Sequence, residues 1–154
     1  MKGDAKVIEH LNKVLYNELT AINQYFLHYR MVHDWGLETL AGSEYKVSID
    51  VMKHADALID RVLFLEGMPN LQDLGKLLIG ENVKEVLECD LKLEQRGWPD
   101  LRDAVAYAES AEDYATRDLL ASILADREEQ IDFLETELGL IDEIGIEKYE
   151  QSRM

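Results

Sequence analysis

The sequence predicts an all-α protein: one bundle of four long helices with a long crossover connection and a short fifth helix at the C-terminus. Three observations predict it. Apolar residues recur at three- and four-residue steps through four long stretches. Only nine Gly and two Pro occur, too few to turn a many-stranded sheet. Those turn-formers gather at the ends of the periodic stretches, which marks helix stops. At 154 residues the chain is expected to form a single domain, 1–154, large enough for a proper core.

The first helix, from about Ala5 to Trp35, places Val7, Leu11, Val14, Leu15, Ile22 and Tyr25 on one stripe, and Gly36 terminates it. The second, from about Leu40 to Leu65, carries Val47, Val51, His54, Leu58, Val62 and Leu65. It stops at Glu66-Gly67-Met68-Pro69. Residues 67–82 are too long for a tight hairpin, so they let the next helix start at the far end of the bundle. A third helix is expected from near Val83 to about Ser110, broken or kinked at Gly97-Trp98-Pro99. The fourth runs from about Asp113 to Asp142 or Glu143. Gly145 then sets off a tail, 146–152, of one or two turns.

Lys plus Arg total 16 against 32 Asp plus Glu, a formal charge of −16. That balance argues against nucleic acid, whose phosphates need clustered cations. It suits either attraction of cations or simple solubility. The lone Cys89 excludes an intramolecular disulfide. No basic-then-apolar leader opens the chain and no apolar run approaches the roughly 18 residues of a membrane span, so a soluble, cytoplasmic protein is expected.

The chemistry lies on the apolar stripes. Glu18 falls seven residues after Leu11 and seven before Tyr25; Glu94 falls seven after Leu87 and seven before Leu101. His54 shares a stripe with Val51, and Arg127 and Gln130 sit among Ile123, Leu124, Ile131 and Leu134. Ionisable groups on such stripes are costly unless paired, protonated or metal-bound, and one per helix could meet at one level. A di-iron site in a four-helix bundle takes one Glu from each of two helices and a Glu-x-x-His from each of the others. Here the latter positions read Val51-Met52-Lys53-His54 and Arg127-Glu128-Glu129-Gln130, so only Glu18, His54 and Glu94 remain of six groups.

The strings Asn17-Glu18-Leu19, Ala21 to His28, Met52-Lys53-His54-Ala55-Asp56, and above all Glu66 to Leu77, make the chain resemble a bacterioferritin from end to end. The resemblance implies a ferritin-like bundle assembling into a hollow 24-subunit cage that stores ferric mineral. It also implies a b-type haem shared by two subunits, with one methionine from each. Met52 matches that ligand, and Leu19, Ile22, Asn23, Phe26, Tyr45 and Ile49 match its pocket; a packing role is the alternative for Met52.

In the family pattern Glu18 and His54 hold one iron, Glu94 and a histidine the other, and two glutamates bridge. The bridging positions are Val51 and Arg127 here, and the second histidine is Gln130. Valine has no donor, arginine is a cation, and glutamine offers a neutral amide oxygen. Glu128 and Glu129 are each turned about 100° away. The ferroxidase centre of this chain is therefore expected to be defective. Arg127 would replace the metal charge by reaching Glu18, Glu94 or both, or else turn to solvent beside a protonated Glu18.

The expected function is to carry electrons through haem from a small ferredoxin, docking near Met68, Glu81 and Glu85, to the mineral, supporting iron release. The cage would be a homo-oligomer or mixed with a ferroxidase-competent subunit. The alternatives are residual Fe(II) oxidation at Glu18, His54 and Glu94, or a purely structural cage subunit. Tyr25 resembles a redox-active tyrosine of the family; Lys46 with Asp50 resembles an inner-surface iron site in which lysine replaces histidine. His10, His28 and His33 are expected to be surface or structural, and Cys89 a half-buried small side chain.

Overall fold

The computed structural model describes residues 1–154. Four long helices, α1 (Ala5–Asp34), α2 (Glu38–Phe64), α3 (Val83–Ser110) and α4 (Tyr114–Ile144), precede the seven-residue α5 (Ile146–Ser152). There is no strand. Three starts are fixed by side-chain caps: Asp4 accepts from Lys6 and Val7 N–H, Asn82 from Glu85 N–H, and Asp113 from Thr116 N–H. Gly36 and Gly145, at φ +88° and +86°, stop α1 and α4 in a backbone region that favours glycine. No helix is long and apolar enough to cross a membrane.

Residues at the same level in the two apolar clusters show how the helices run. In one, Val7 and Leu11 pack with Leu58, Val62, Leu101, Ala108 and Leu120; in the other, Val32 packs with Leu37, Leu40, Val83, Leu87, Leu134 and Tyr149. So α1 is antiparallel to α2 and α3, and α4 runs with α1. The crossover spans the length of the bundle, as the long connector required.

One face of α1 holds that crossover. Asn12, Thr20, Gln24 and His28, spaced by multiples of four, accept N–H groups of Asn70, Gly75, Leu78 and Gly80 at 2.9, 3.1, 2.9 and 3.1 Å. At Gly80 a Cβ would lie 2.3 Å from the Val86 nitrogen, so only glycine permits the approach.

Two expectations need correction. The helix is not broken at Gly97-Trp98-Pro99: α3 runs continuously through Pro99. Proline removes one backbone bond, while buried Gly97 against Asn17, and the 2.8 Å bond from Asn17 to Asp100, hold the segment to α1. On α2 the buried face is Leu40, Ala41, Glu44, Ser48, Val51, Ala55, Leu58 and Val62. Val47 and His54 are half-buried flanks of it, because the face includes two polar residues that an apolar stripe omits.

Candidate metal centre

Between the two apolar clusters lies a polar layer, with Ala21, Tyr25, Val51 and Leu93 as its apolar members. Glu18 from α1, Glu94 from α3 and Arg127 from α4 are all buried there, and half-buried His54 on α2 closes the fourth side. Arg127 forks onto Glu18, donating Nε to Oε1 at 3.2 Å and Nη2 to Oε2 at 2.6 Å. Its third arm, Nη1, donates to Glu94 Oε1. Tyr25 donates its hydroxyl to the same Glu94 oxygen at 2.8 Å, and Gln130 Nε2 donates to the Tyr25 oxygen at 3.2 Å.

His54 lies between two carboxylates, with Nδ1 3.2 Å from Glu18 Oε2 and Nε2 2.8 Å from Asp126 Oδ2. Burial works against its positive charge, but Glu18 and Asp126 raise its pKa above the ordinary imidazole value. With both nitrogens donating, His54 has no lone pair for a metal.

The remaining charges follow the same contest. Burial disfavours the Glu18 carboxylate, yet Arg127 and His54 outweigh it and hold the pKa below the usual range. For Glu94 burial prevails over Arg127 and Tyr25, and its pKa is raised. Burial opposes the guanidinium of Arg127, but Glu18 and Glu94 hold its pKa well above normal. Burial, then the neighbouring Glu94, keeps the Tyr25 phenol neutral.

A pair of bridged irons does not fit these residues. A guanidinium joins the two surviving carboxylates, the second bridging position is the apolar Val51, Gln130 is bonded to Tyr25, and His54 is a double donor. The sequence-predicted set Glu18, His54, Glu94, Arg127 thus converges at one level, and Arg127 reaches both glutamates. A cleft of about 570 Å³ between α2 and α4 opens over the layer, with Lys46, Asp50, Lys53 and Glu129 in its wall. Lys46 there faces Asp50 at 3.6 Å.

On the outer face of α1 and α2, Met52, Phe26 and Tyr45 are 49, 49 and 44% exposed. Leu19, Ile22 and Ile49 are half-buried beside them and Asn23 is exposed. The aromatic rings run Phe26, Tyr29, Tyr45 at centroid spacings of 5.8 and 4.9 Å. Cys89 is half-buried, and burial followed by the Asp90 charge raises its thiol pKa, so it stays protonated.

Sequence reasoning missed a second polar layer, formed by Gln24, His28, Glu44, Ser48 and Asp90, all buried. The available signal was spacing: Glu44 falls seven residues before Val51, and Asp90 four before Glu94. Of the histidines, His28 is fully interior and His10 stacks on Tyr107 at 5.2 Å. Also missed was Glu137 on α4, which accepts from Tyr149 at 3.0 Å and from Arg153 at 2.8 and 2.9 Å, binding α5 to the bundle.

Residues 8–144 match the ferritin-like domain family. The bacterioferritin of Brucella melitensis is 50% identical over 151 residues, which cover 98% of this chain and 94% of that protein. The bacterioferritin of Rhodobacter capsulatus is 48% identical over 145 residues, 94% of this chain and 90% of its own. Bacterioferritin BfrA of Mycobacterium tuberculosis is 44% identical over 149 residues, covering 97% and 94%.

Proposed function

The chain belongs to the bacterioferritin family of ferritin-like, iron-storing proteins, and on that premise we propose that it is a haem-binding cage subunit whose own ferroxidase centre is closed. The observation that carries the reading is Arg127 joined at once to Glu18 and Glu94. A fixed cation supplies the charge that iron would otherwise bring, and it does so without redox chemistry.

The exposed surface around Met52 fits a haem. A half-exposed thioether flanked by Leu19, Ile22, Ile49, Phe26 and Tyr45 offers one axial sulfur and two apolar walls, and the same patch on a second copy would provide the other half. Bound there, haem supplies one-electron transfer. The chain's own contribution is to hold the sulfur in place, exclude water with the apolar flanks, and keep the site on the rigid α1–α2 pair.

The role is to pass electrons from an external reductant to stored ferric iron and so favour its release. A small acidic-surface-docking ferredoxin approaching exposed Met68 and Glu81 and half-buried Glu85 is the expected donor. In a cytoplasmic cage of 24 subunits, Fe(II) oxidation then falls to a ferroxidase-competent bacterioferritin partner subunit.

The test is stopped-flow oxidation of about two Fe(II) per subunit by oxygen, the load of a complete di-iron site, using cages of this chain alone. No fast saturable phase is expected. A fast phase would mean that Glu18, His54 and Glu94 suffice and that the centre is open.

A further inference from the structure

The five buried acids of the bundle are Glu18, Glu44, Asp90, Glu94 and Glu137. Three of them are met by arginine: Arg127 serves Glu18 and Glu94, and Arg153 serves Glu137. Glu44 and Asp90 have no lysine or arginine partner, and burial followed by the Asp90 charge pushes the Glu44 carboxyl well above its ordinary range. Buried carboxylates without a cation are expensive, so this pair is an exception that needs a physical cause.

The hydrogen bonds in this layer are lopsided. Gly80 N–H donates to His28 Nε2 at 3.1 Å, which leaves Nδ1 as the protonated nitrogen, and that nitrogen lies 2.8 Å from Asp90 Oδ1. Gln24 Nε2 also donates to Asp90 Oδ1, at 3.1 Å, and Gln24 is itself held by Leu78 N–H. Two donors therefore fix one oxygen of Asp90 and leave Oδ2 without a partner. Glu44 Oε2 is buried and without a partner too.

A third such atom is independent of the acids. Ser48, one turn beyond Glu44 on the same buried face of α2, is wholly buried, and its Oγ has no hydrogen-bond partner. A helical serine ordinarily bonds back to the carbonyl four residues earlier, and this one does not. Three interior oxygens, two carboxylate and one hydroxyl, thus lack partners.

We propose that Glu44 and Asp90, whose carboxylate oxygens come within 4.8 Å of each other and of a ring nitrogen of His28, hold one divalent first-row transition cation inside the bundle, with Ser48, one turn beyond Glu44, as a third donor. An all-oxygen donor set suits hard divalent ions such as Mn(II), and the iron-storing family makes Fe(II) the one such a site would meet in a loaded cage. Two carboxylates balance its charge, and the hydroxyl adds a neutral donor. His28 is a positioning residue here, not a ligand: its Nε2 lone pair is taken by Gly80, and its Nδ1–H turns Asp90 so that Oδ2 is free.

The test counts Mn(II) bound by the assembled, mineral-free cage in excess Mg(II), reading the electron paramagnetic resonance signal of free Mn(II). The unaltered chain and His54→Ala should bind one more Mn(II) per subunit than Glu44→Gln or Asp90→Asn, and Ser48→Ala should weaken that site about tenfold, within the range expected for loss of one supporting group. Glu44→Gln keeps shape and volume, so it decides the matter if Asp90→Asn fails to assemble. Equal stoichiometry in all cages, or no site in any, would leave the pair with only a proton or a water and overturn the proposal. Loss of a site in His54→Ala alone would place the metal at Glu18 instead, refuting both this inference and the closed centre; the stopped-flow result above separates the two failures.

Discussion

Replacing Arg127 by alanine should be among the most damaging single changes in the chain. The substitution removes three charge-assisted hydrogen bonds at once, two to Glu18 and one to Glu94, among buried side chains. At separations of about 4 Å and an effective dielectric of about 20, each arginine–carboxylate attraction is about 4 kcal/mol. Desolvation of all three groups offsets much of that sum in the intact protein. Once the cation is gone, however, the carboxylates keep their desolvation cost with only His54 and the Tyr25 hydroxyl against it. The net loss should be about 3–5 kcal/mol. For a chain of this size about 2–4 °C follows each kcal/mol, so the unfolding midpoint at pH 7 should fall by about 6–20 °C.

The same argument fixes the pH dependence. In the intact chain Glu18 is held low, so it adds stability above the unfolded carboxylate range and loses it as pH falls through the folded value. Without Arg127, burial is opposed only by His54 at Glu18 and by Tyr25 at Glu94, both take up protons more readily when folded, and acidification should help the variant. Thermal unfolding of both proteins at pH 7 and pH 5 measures this. A deficit under about 1 kcal/mol, or one that does not shrink at pH 5, would refute the idea that Arg127 stands in for a metal.

Four other outcomes follow from the same geometry. The triple change Val51→Glu, Arg127→Glu and Gln130→His should give a fast, saturable phase of Fe(II) oxidation, since it rebuilds both Glu-x-x-His motifs; its absence in an assembled cage would mean that residues outside the six also close the site. Met52→Leu, close in volume, should leave the fold intact and abolish the sharp reduced bands of six-coordinate haem in the absorption spectrum. Charge reversal at Glu81 and Glu85 should slow haem reduction by a ferredoxin without changing haem content, and an unchanged rate would remove that docking surface. Glu137→Gln should cost about 1.5–3 kcal/mol at pH 7, because Arg153 and Tyr149 outweigh burial and hold Glu137 low. That stability is present above the unfolded carboxylate range and lost as pH falls through the folded value, so unfolding curves of the two proteins should converge in acid.

The sequence made the bundle legible because its helices are long and each stop is chemically plain: Gly36, Gly67 with Pro69, and Gly145. The central layer was legible for a different reason. Glu18 sits at heptad distance from Leu11 and Tyr25, and Glu94 from Leu87 and Leu101, where a charge cannot be accidental. Pro99 misled because local propensity cannot weigh the tertiary contacts that Asn17 makes with Gly97 and Asp100. The Gln24–His28–Asp90 layer stayed hidden because its partners are backbone groups of the crossover. No periodicity places Gly80 beside His28; that contact exists only once residues 67–82 are laid along α1.

Val51, Arg127 and Gln130, which stand where the proposed function has ligands replaced, make physical sense only together. Arginine at 127 without the loss of a glutamate at 51 would leave one buried cation facing three carboxylates. Valine at 51 without arginine would leave Glu18 and Glu94 with His54 as the sole positive charge. With both changes the layer pairs Arg127 and His54 against Glu18, Glu94 and Asp126, and Asp126 is largely exposed to water. Gln130 completes the set by donating to Tyr25, which in turn donates to Glu94. A histidine there could make that bond too, but its second nitrogen would need a metal or another acceptor. Apart from Glu94 Oε2, which is buried without a partner, the layer is satisfied without a metal, and reversing any one substitution alone should destabilise the fold before it restores any chemistry.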